Sequence, residues 1–264
     1  MRSIGFSLQE SYSLPRQDVL RLLKKVGFDG ISPPWQGWED LEELAAAAKE
    51  LGLAIHSLHA PHDRNCQLWG RENSPILEDT LACLDACKKW DIPILVIHPW
   101  GRFEYTFREE ELFFDNFDRL TDCAKQAGVK IAFENQRKLF NLAWAFETYG
   151  PEDGVGFCWD CGHEHCFTPG KQFMPLFGDR LICTHIHDNE GVFNEDKHML
   201  PFDGTLDFER VARQIRESGY KGTLMLEVLA GASDHYEGVS YQGVSPQEYL
   251  RRAADAAKRL ANMV

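Results

Sequence analysis

A chain of 264 residues has room for two average domains or for one α/β barrel, which takes about 250 residues. Its 44% apolar and 26% charged content is an ordinary globular mixture, and no low-complexity run, Pro/Gly linker or repeat marks a boundary, so residues 1–264 are expected to form a single domain. With 28 Lys+Arg against 41 Asp+Glu the net charge is −13, which gives no basic footprint for nucleic acid and reads as solvated acidic helix faces, with carboxylates balanced by bound metal as a further source.

Alternating strand and helix patterns run through the chain. Strand Ile4–Leu8 precedes Pro15–Val26, where Val19, Leu20, Leu22, Leu23 and Val26 recur at helical spacing before Gly27. Asp29–Ser32 is a short strand, and Trp38–Leu51 an Ala-rich helix closed by Gly52. Leu53–Leu58 is the third strand, with helix Pro75–Trp90 after a long crossing segment. Strand Ile94–His98, an aromatic loop Pro99–Phe107 and helix Glu109–Ala127, stopped by Gly128, come next. Lys130–Glu134 and helix Leu139–Tyr149 follow, then Val155–Asp160 with a weak helical segment near Lys171–Phe177. Leu181–His187, helix Phe208–Ser218, strand Thr223–Val228 and helix Pro246–Val264 complete the series. Eight strands alternating with helices predict a single (β/α)8 TIM barrel of the α/β class. An open doubly wound sheet is the alternative, but a GxGxxG turn after the first strand is absent.

Ligand-type residues recur where these strands end: His59, His98, Glu134, Asp160, His185 and Glu227. In a barrel such ends converge, and catalytic groups lie there and in the following loops. His163, Asp196 and His198 are expected in loops on the same rim. Imidazole with carboxylate suits Zn²⁺ or Mn²⁺, whereas an all-oxygen shell would suit Mg²⁺. A lone histidine is ordinarily a satisfied core or surface residue, but nine ligand types on one rim argue for a metal site. His62 rivals His59 as ligand, and alternation points His56 elsewhere. His165 and His235 read as loop histidines, and His187 as support behind the ligands or for substrate.

Eight cysteines without a visible leader segment or a span of roughly 20 apolar residues predict reduced thiols in a cytoplasmic, non-membrane protein. Cys158 and Cys161 have CxxC spacing, with Cys166 nearby, so a zinc knuckle is conceivable. Alternation is expected to turn Cys158 away from Asp160's neighbours, and no second CxxC completes the set.

LHAP at Leu58–Pro61, IHP at Ile97–Pro99, FEN at Phe133–Asn135, WDCGH at Trp159–His163, HIHDN at His185–Asn189, DKHMLPFDGTLDF at Asp196–Phe208 and LEV at Leu226–Val228 stand in this order. Together they resemble the xylose isomerase-like TIM barrel superfamily, which includes sugar phosphate isomerases and epimerases and endonuclease IV. The resemblance to the ketose epimerases implies one divalent ion on Glu134, Asp160, His185 and Glu227. The resemblance to endonuclease IV implies three zinc ions, adding His59, His98, His163, Asp196 and His198. One to three ions per chain are therefore expected. Asn135-Gln136-Arg137-Lys138 replaces the small, Gly-rich stretch of endonuclease IV, and basic DNA-gripping loops are not evident.

The resemblance implies an isomerase or epimerase of a sugar, sugar phosphate or related polyol, in which Glu134 and Glu227 pass a proton across an enediolate. Pure metal ligation is the plainer role for both. The alternative activity is a zinc-dependent abasic-site phosphodiesterase. Trp35, Trp38, Trp69, Trp100, Phe103, Tyr105 and Trp159 are expected on the rim, to pack on sugar, close a lid or form a homo-oligomer interface. Arg64, Arg71, Arg102 and Arg137 are candidates for holding a phosphate or plain surface residues. Trp100, Arg137 and His187 are the candidate substrate-binding residues, and no nucleic-acid partner is expected.

Overall fold

The computed structural model describes residues 2–9, 14–62, 65–70, 74–99, 114–231, 241 and 243–264. Strands β1 (Ile4–Ser7), β2 (Gly30–Ser32), β3 (Ala54–Ile55), β4 (Leu58–His59), β5 (Ile94–Ile97), β6 (Lys130–Glu134), β7 (Val155–Asp160), β8 (Leu181–His185) and β9 (Leu224–Leu226) pair in parallel. They form two sheets, β3-β2-β1-β9 and β4-β5-β6-β7-β8. Single bridges join them at both edges, Pro34 to His59 and Ile186 to Leu226, so the strands close into the expected α/β barrel. The expected third strand is broken into β3 and β4, because the chain between them transfers its pairing from β2 to β5.

The helices are α1 (Arg16–Val26), α2 (Trp38–Leu51), α3 (Pro75–Lys89), α4 (Asp115–Ala127), α5 (Leu139–Thr148), α6 (Cys161–Phe167), α7 (Met174–Phe177), α8 (Phe208–Glu217) and α9 (Pro246–Met263). Their ends follow local chemistry. Ser74, Asp207 and Ser245 each accept backbone N–H bonds as N-caps of α3, α8 and α9. Gly27, Gly52 and Gly128 end α1, α2 and α4 in the left-handed conformation, at φ +102°, +63° and +71°.

Alternation along the strands divides the core in two. Phe157 and Trp159 of β7 face the helices and join the large cluster that includes Leu20, Leu23, Phe133 and Leu250. Each such side chain contributes about 2 kcal/mol by burial. Val96, Ala132, Cys158 and Cys183 form a separate layer inside the barrel.

Trp159 is not a rim aromatic: it is fully buried against the helix layer, and its Nε1 donates to Glu164 Oε2 at 3.0 Å. Trp69 is also core, 4.7 Å from Phe117, with its Nε1 bonded to Pro99 O. Cys158 shares Asp160's face, since residues two apart on a strand point the same way. Cys158, Cys161 and Cys166 go to different neighbours, Cys183, His187 O and Asp196 respectively, so they make no zinc knuckle. His163 and His165 belong to α6, which periodicity missed because the helix has seven residues. Only Met174–Phe177 of the segment near Lys171–Phe177 is helical. Arg64, Arg71, Trp100, Arg102, Phe103, Tyr105, His235 and the first residues of the expected helix Glu109–Ala127 lie outside the described residues. Among the described residues no helix is long and apolar enough to cross a membrane.

Candidate metal centre

Glu134 and Asp160 end β6 and β7, His185 ends β8, and Glu227 follows β9 by one residue. Parallel strands in register bring these ends to one level, and one ligand atom from each of the four lies within 4.8 Å of the others. His185 Nδ1 is 3.0 Å from Glu134 Oε2 and 3.2 Å from Glu227 Oε2. All four side chains are buried.

Two further groups adjoin this one. His59 Nε2 and His98 Nε2 lie 3.4 and 3.2 Å from Glu134 Oε2, so Glu134 is common to both groups. On the other side Asp196 Oδ2 is 3.0 Å from His163 Nε2 and 3.2 Å from His198 Nε2. His187 joins that set, its Nε2 lying 3.1 Å from Asp160 Oδ1 and 3.6 Å from Asp196 Oδ1. The nine ligand candidates and His187 are thus brought together. His62 is exposed, with its ring 5.4 Å from that of His98, whereas His59 is buried and reaches Glu134. His56 bonds Thr223 at the opposite end of the barrel.

Local structure fixes the orientation of these groups. His59 Nδ1 donates to Ala60 O at 2.7 Å and His198 Nδ1 to Glu227 O at 2.7 Å. A carbonyl only accepts, so the Nδ1 proton is fixed in each ring and Nε2 is the atom that can ligate an ion once it is unprotonated. Asp160 caps α6, its Oδ1 accepting from His163 N at 2.6 Å, which places His163 beside it. Asn135 pins the ends of β6 and β7 together, giving to Asp160 O and accepting from Asp160 N at 2.8 Å each. The glycine of the DCGH run has a packing reason: a Cβ on Gly162 would stand 2.0 Å from His187 Cε1. Asp188 accepts N–H bonds from Asn189, Phe202, Gly204 and Leu206 at 2.8–3.1 Å and so shapes the loop that carries Asp196 and His198. His198 is held at φ +44°, a conformation that costs about 1–2 kcal/mol.

Arg137 stacks on Phe167, 3.8 Å from its ring, and Phe167 stacks on His163. Gln136 and Gln9 are the residues that sequence reasoning missed. Gln136 Nε2 is 3.1 Å from His163 Nδ1, and Gln9 Nε2 donates to Glu227 Oε1 at 3.1 Å. Gln9 stands just past β1, so the strand-end rule would have found it had neutral side chains been included.

Burial alone would raise Glu134's carboxyl, but the imidazoles of His185, His98 and His163 close by hold it well below the usual range. Burial opposes charge on His185 too, yet Glu227 and Glu134 raise it well above an ordinary imidazole. In the same way Asp196 overrides burial and lifts His198 to about 9. Burial prevails at His98, which is lowered.

The fit of a metal to these groups rests on atoms with nothing else to bind. Glu134 Oε2, Asp160 Oδ2, both nitrogens of His185 and His187 Nε2 are buried and make no hydrogen bond of acceptable geometry. They lie close together without hydrogen-bonding one another, as ligands gathered around a common centre do. The donor set of imidazole and carboxylate is of the kind that holds a divalent ion.

Comparison with known proteins places this geometry in context. An uncharacterized protein of Sinorhizobium fredii is 37% identical over 164 residues, 61% of this chain. The chain spans 48% of that relative's length. Among solved structures, IolI protein with a binding zinc atom superposes with a TM-score of 0.76 at 19% identity, over 98% of both chains. The 3-keto-D-glucoside 4-epimerase YcjR from E. coli gives 0.71 at 20% identity, covering 99% of this chain and all of its own. Sugar epimerases recur among the other structural neighbours. The family model described as xylose isomerase-like TIM barrel matches residues 20–260. The chain belongs to the xylose isomerase-like TIM barrel family.

Proposed function

We propose that the chain is a divalent-metal-dependent isomerase or epimerase of a sugar, sugar phosphate or related polyol. The observation that carries this reading is the pair Glu134 and Glu227, whose carboxylates approach one imidazole nitrogen, His185 Nδ1, at 3.0 and 3.2 Å. A divalent ion held by Glu134, Asp160, His185 and Glu227 would polarise a carbonyl and its neighbouring hydroxyl, acidifying the C–H between them. Removing that proton requires an ionised carboxylate, and both glutamates are held below the ordinary range. One glutamate takes the proton from carbon and the other returns it, through an enediolate. Gln9 steadies Glu227, while Gln136 and His163 steady Glu134. Burial of the pair keeps bulk water from quenching the carbanion equivalent.

A panel of ketoses and ketose phosphates in D₂O tests this. Deuterium is expected at the carbon beside the carbonyl, and Glu227→Gln should slow its incorporation by about 10²–10⁴-fold.

The extra donors His59, His98, His163, Asp196 and His198 favour a second reading, a phosphodiesterase with clustered ions. Against it stands the net charge of −13, since gripping a nucleic-acid backbone takes basic groups. Cleavage of an abasic-site duplex, lost in Glu134→Gln and without deuterium exchange on any sugar, would select this second reading.

A further inference from the structure

Below the strand ends, the barrel contains two thiols that the proposed reaction does not use. Cys158 of β7 and Cys183 of β8 are register partners, and both lie in the interior layer with Val96 and Ala132. One ligand atom each from Cys158, Cys183 and His185 lies within 4.8 Å of the others. A tetrahedral zinc-type ion holds sulfur at about 2.3 Å and imidazole nitrogen at about 2.1 Å, so its ligands stand about 3.5–4 Å apart. The upper bound of 4.8 Å on the separation of these three atoms lies within about an ångström of that spacing.

Two independent observations point to a ligand. His185 turns Nδ1 toward Glu134 and Glu227, yet its Nε2 is also buried and has no hydrogen-bond partner. A cavity of about 310 Å³ opens at the N-terminal mouth of the barrel and reaches Cys183, between Ser3, His56, Tyr220, Thr223 and Met225. The cavity brings an ion as far as Cys183 without crossing the C-terminal rim.

We infer that Cys158, Cys183 and His185 form a separate cation site, for a thiophilic ion such as zinc or cadmium, entered from the N-terminal end. On binding, each thiol would lose its proton to water and form a thiolate–metal bond. The ligating nitrogen of His185 would likewise give its proton to water and contribute the freed lone pair, the ring bridging as imidazolate when the rim ion is also bound. A water would complete four-coordination. The plainer role of buried cysteines is to pack as small apolar residues. Cys83 and Cys87, four apart on α3, join no such group among the described residues and serve as the internal control. The site shares His185 with the rim centre but does not depend on the reaction proposed there.

Cadmium titration of the metal-stripped full chain, read by the ultraviolet thiolate-to-cadmium charge-transfer band, tests the inference. The band is expected to saturate at one ion per chain, to fall by about half in Cys183→Ala, and to vanish in Cys158→Ser/Cys183→Ser. It should survive in Cys83→Ser/Cys87→Ser, and also in Glu227→Ala, which damages only the rim centre. Circular dichroism confirms that each variant is folded. Absence of the band from the wild type, or its persistence in the folded Cys158→Ser/Cys183→Ser chain, would overturn the site, whatever the rim centre does with manganese.

Discussion

Two buried glutamates, Glu164 one helical turn after Asp160 and Glu134 beside Asp160 at the strand ends, have opposite surroundings. Glu164 on α6 is satisfied on both oxygens: Oε1 accepts from Arg210 Nη1 at 2.6 Å, and Oε2 accepts from Trp159 Nε1 at 3.0 Å and Phe173 N at 2.9 Å. Glu134 on β6 has an Oε2 with no hydrogen bond, although imidazole nitrogens of His59, His98 and His185 lie within 3.4 Å. Burying an unpaired carboxylate is costly, so the second arrangement persists only if something else completes it. The contrast separates a carboxylate that holds α6, α8 and the loop before α7 together from one reserved for an ion. Both are equally buried, so partner geometry rather than burial identifies the functional group.

The largest effect that would sharpen this contrast is chemical. Glu227→Gln should slow deuterium exchange by about 10²–10⁴-fold, the range of a general acid–base group, with thermal stability in the presence of metal close to wild type. Equal loss of exchange and of fold would instead make Glu227 a structural residue.

Glu164→Gln should behave in the reverse way. Removing one partner of a buried pair costs about 3–5 kcal/mol, read as a lower denaturation midpoint, while metal content stays at the wild-type level. A variant that is stable but depleted of metal would remove the distinction between the two glutamates.

The acid–base response of the metal-stripped chain follows from the same comparison. His198 is raised to about 9 by Asp196, so its contribution to stability is complete below 6.5 and is lost as pH rises through about 9. Asp196 is held well below 3.8, so its contribution holds above that value and disappears only in acid. Stability should therefore fall between pH 6.5 and 9, by the order of 1–3 kcal/mol. Added zinc should abolish the fall, because ligation requires the unprotonated ring. A flat melting profile across that interval would contradict the assigned charges.

The smallest effect is expected at Gly162→Ala. Its Cβ would meet His187, and relief by a shift of the ring should cost about 1–3 kcal/mol. Unchanged stability together with unchanged metal content would mean that His187 moves freely.

The sequence made the strand-end ligands legible because a barrel converts a one-dimensional rule, a polar ligand after an apolar run, into a shared location. Lys130–Glu134 and Val155–Asp160 were read with their observed bounds for that reason. What was misread depended on direction or on short-range capping. Trp159 looked like a rim aromatic because its number adjoins Asp160, although alternation turns it to the opposite face. Helix α6 is too short for a periodic signal, and what starts it is Asp160 acting as cap as well as candidate ligand. His187 would share the face of His185 only in a strand regular to its end, so the sequence leaves it a supporting or substrate-binding role, and its Nε2 lies 3.1 Å from Asp160 Oδ1. The chain beyond His185 instead makes only the bridge at Ile186, and His187 turns toward Asp196.

The unpartnered atoms at the strand ends are expected to hold a divalent ion. Elemental analysis of the purified chain, after equilibration with manganese, an ion that suits carboxylate and imidazole rather than thiolate, and exhaustive dialysis, tests this most directly. At least one ion per chain is expected, lost on replacing Glu134 with Ala and retained in Glu164→Gln. A folded wild-type chain that emerges without a bound ion, or a Glu164→Gln variant that loses as much metal as the Glu134 variant, would contradict the account.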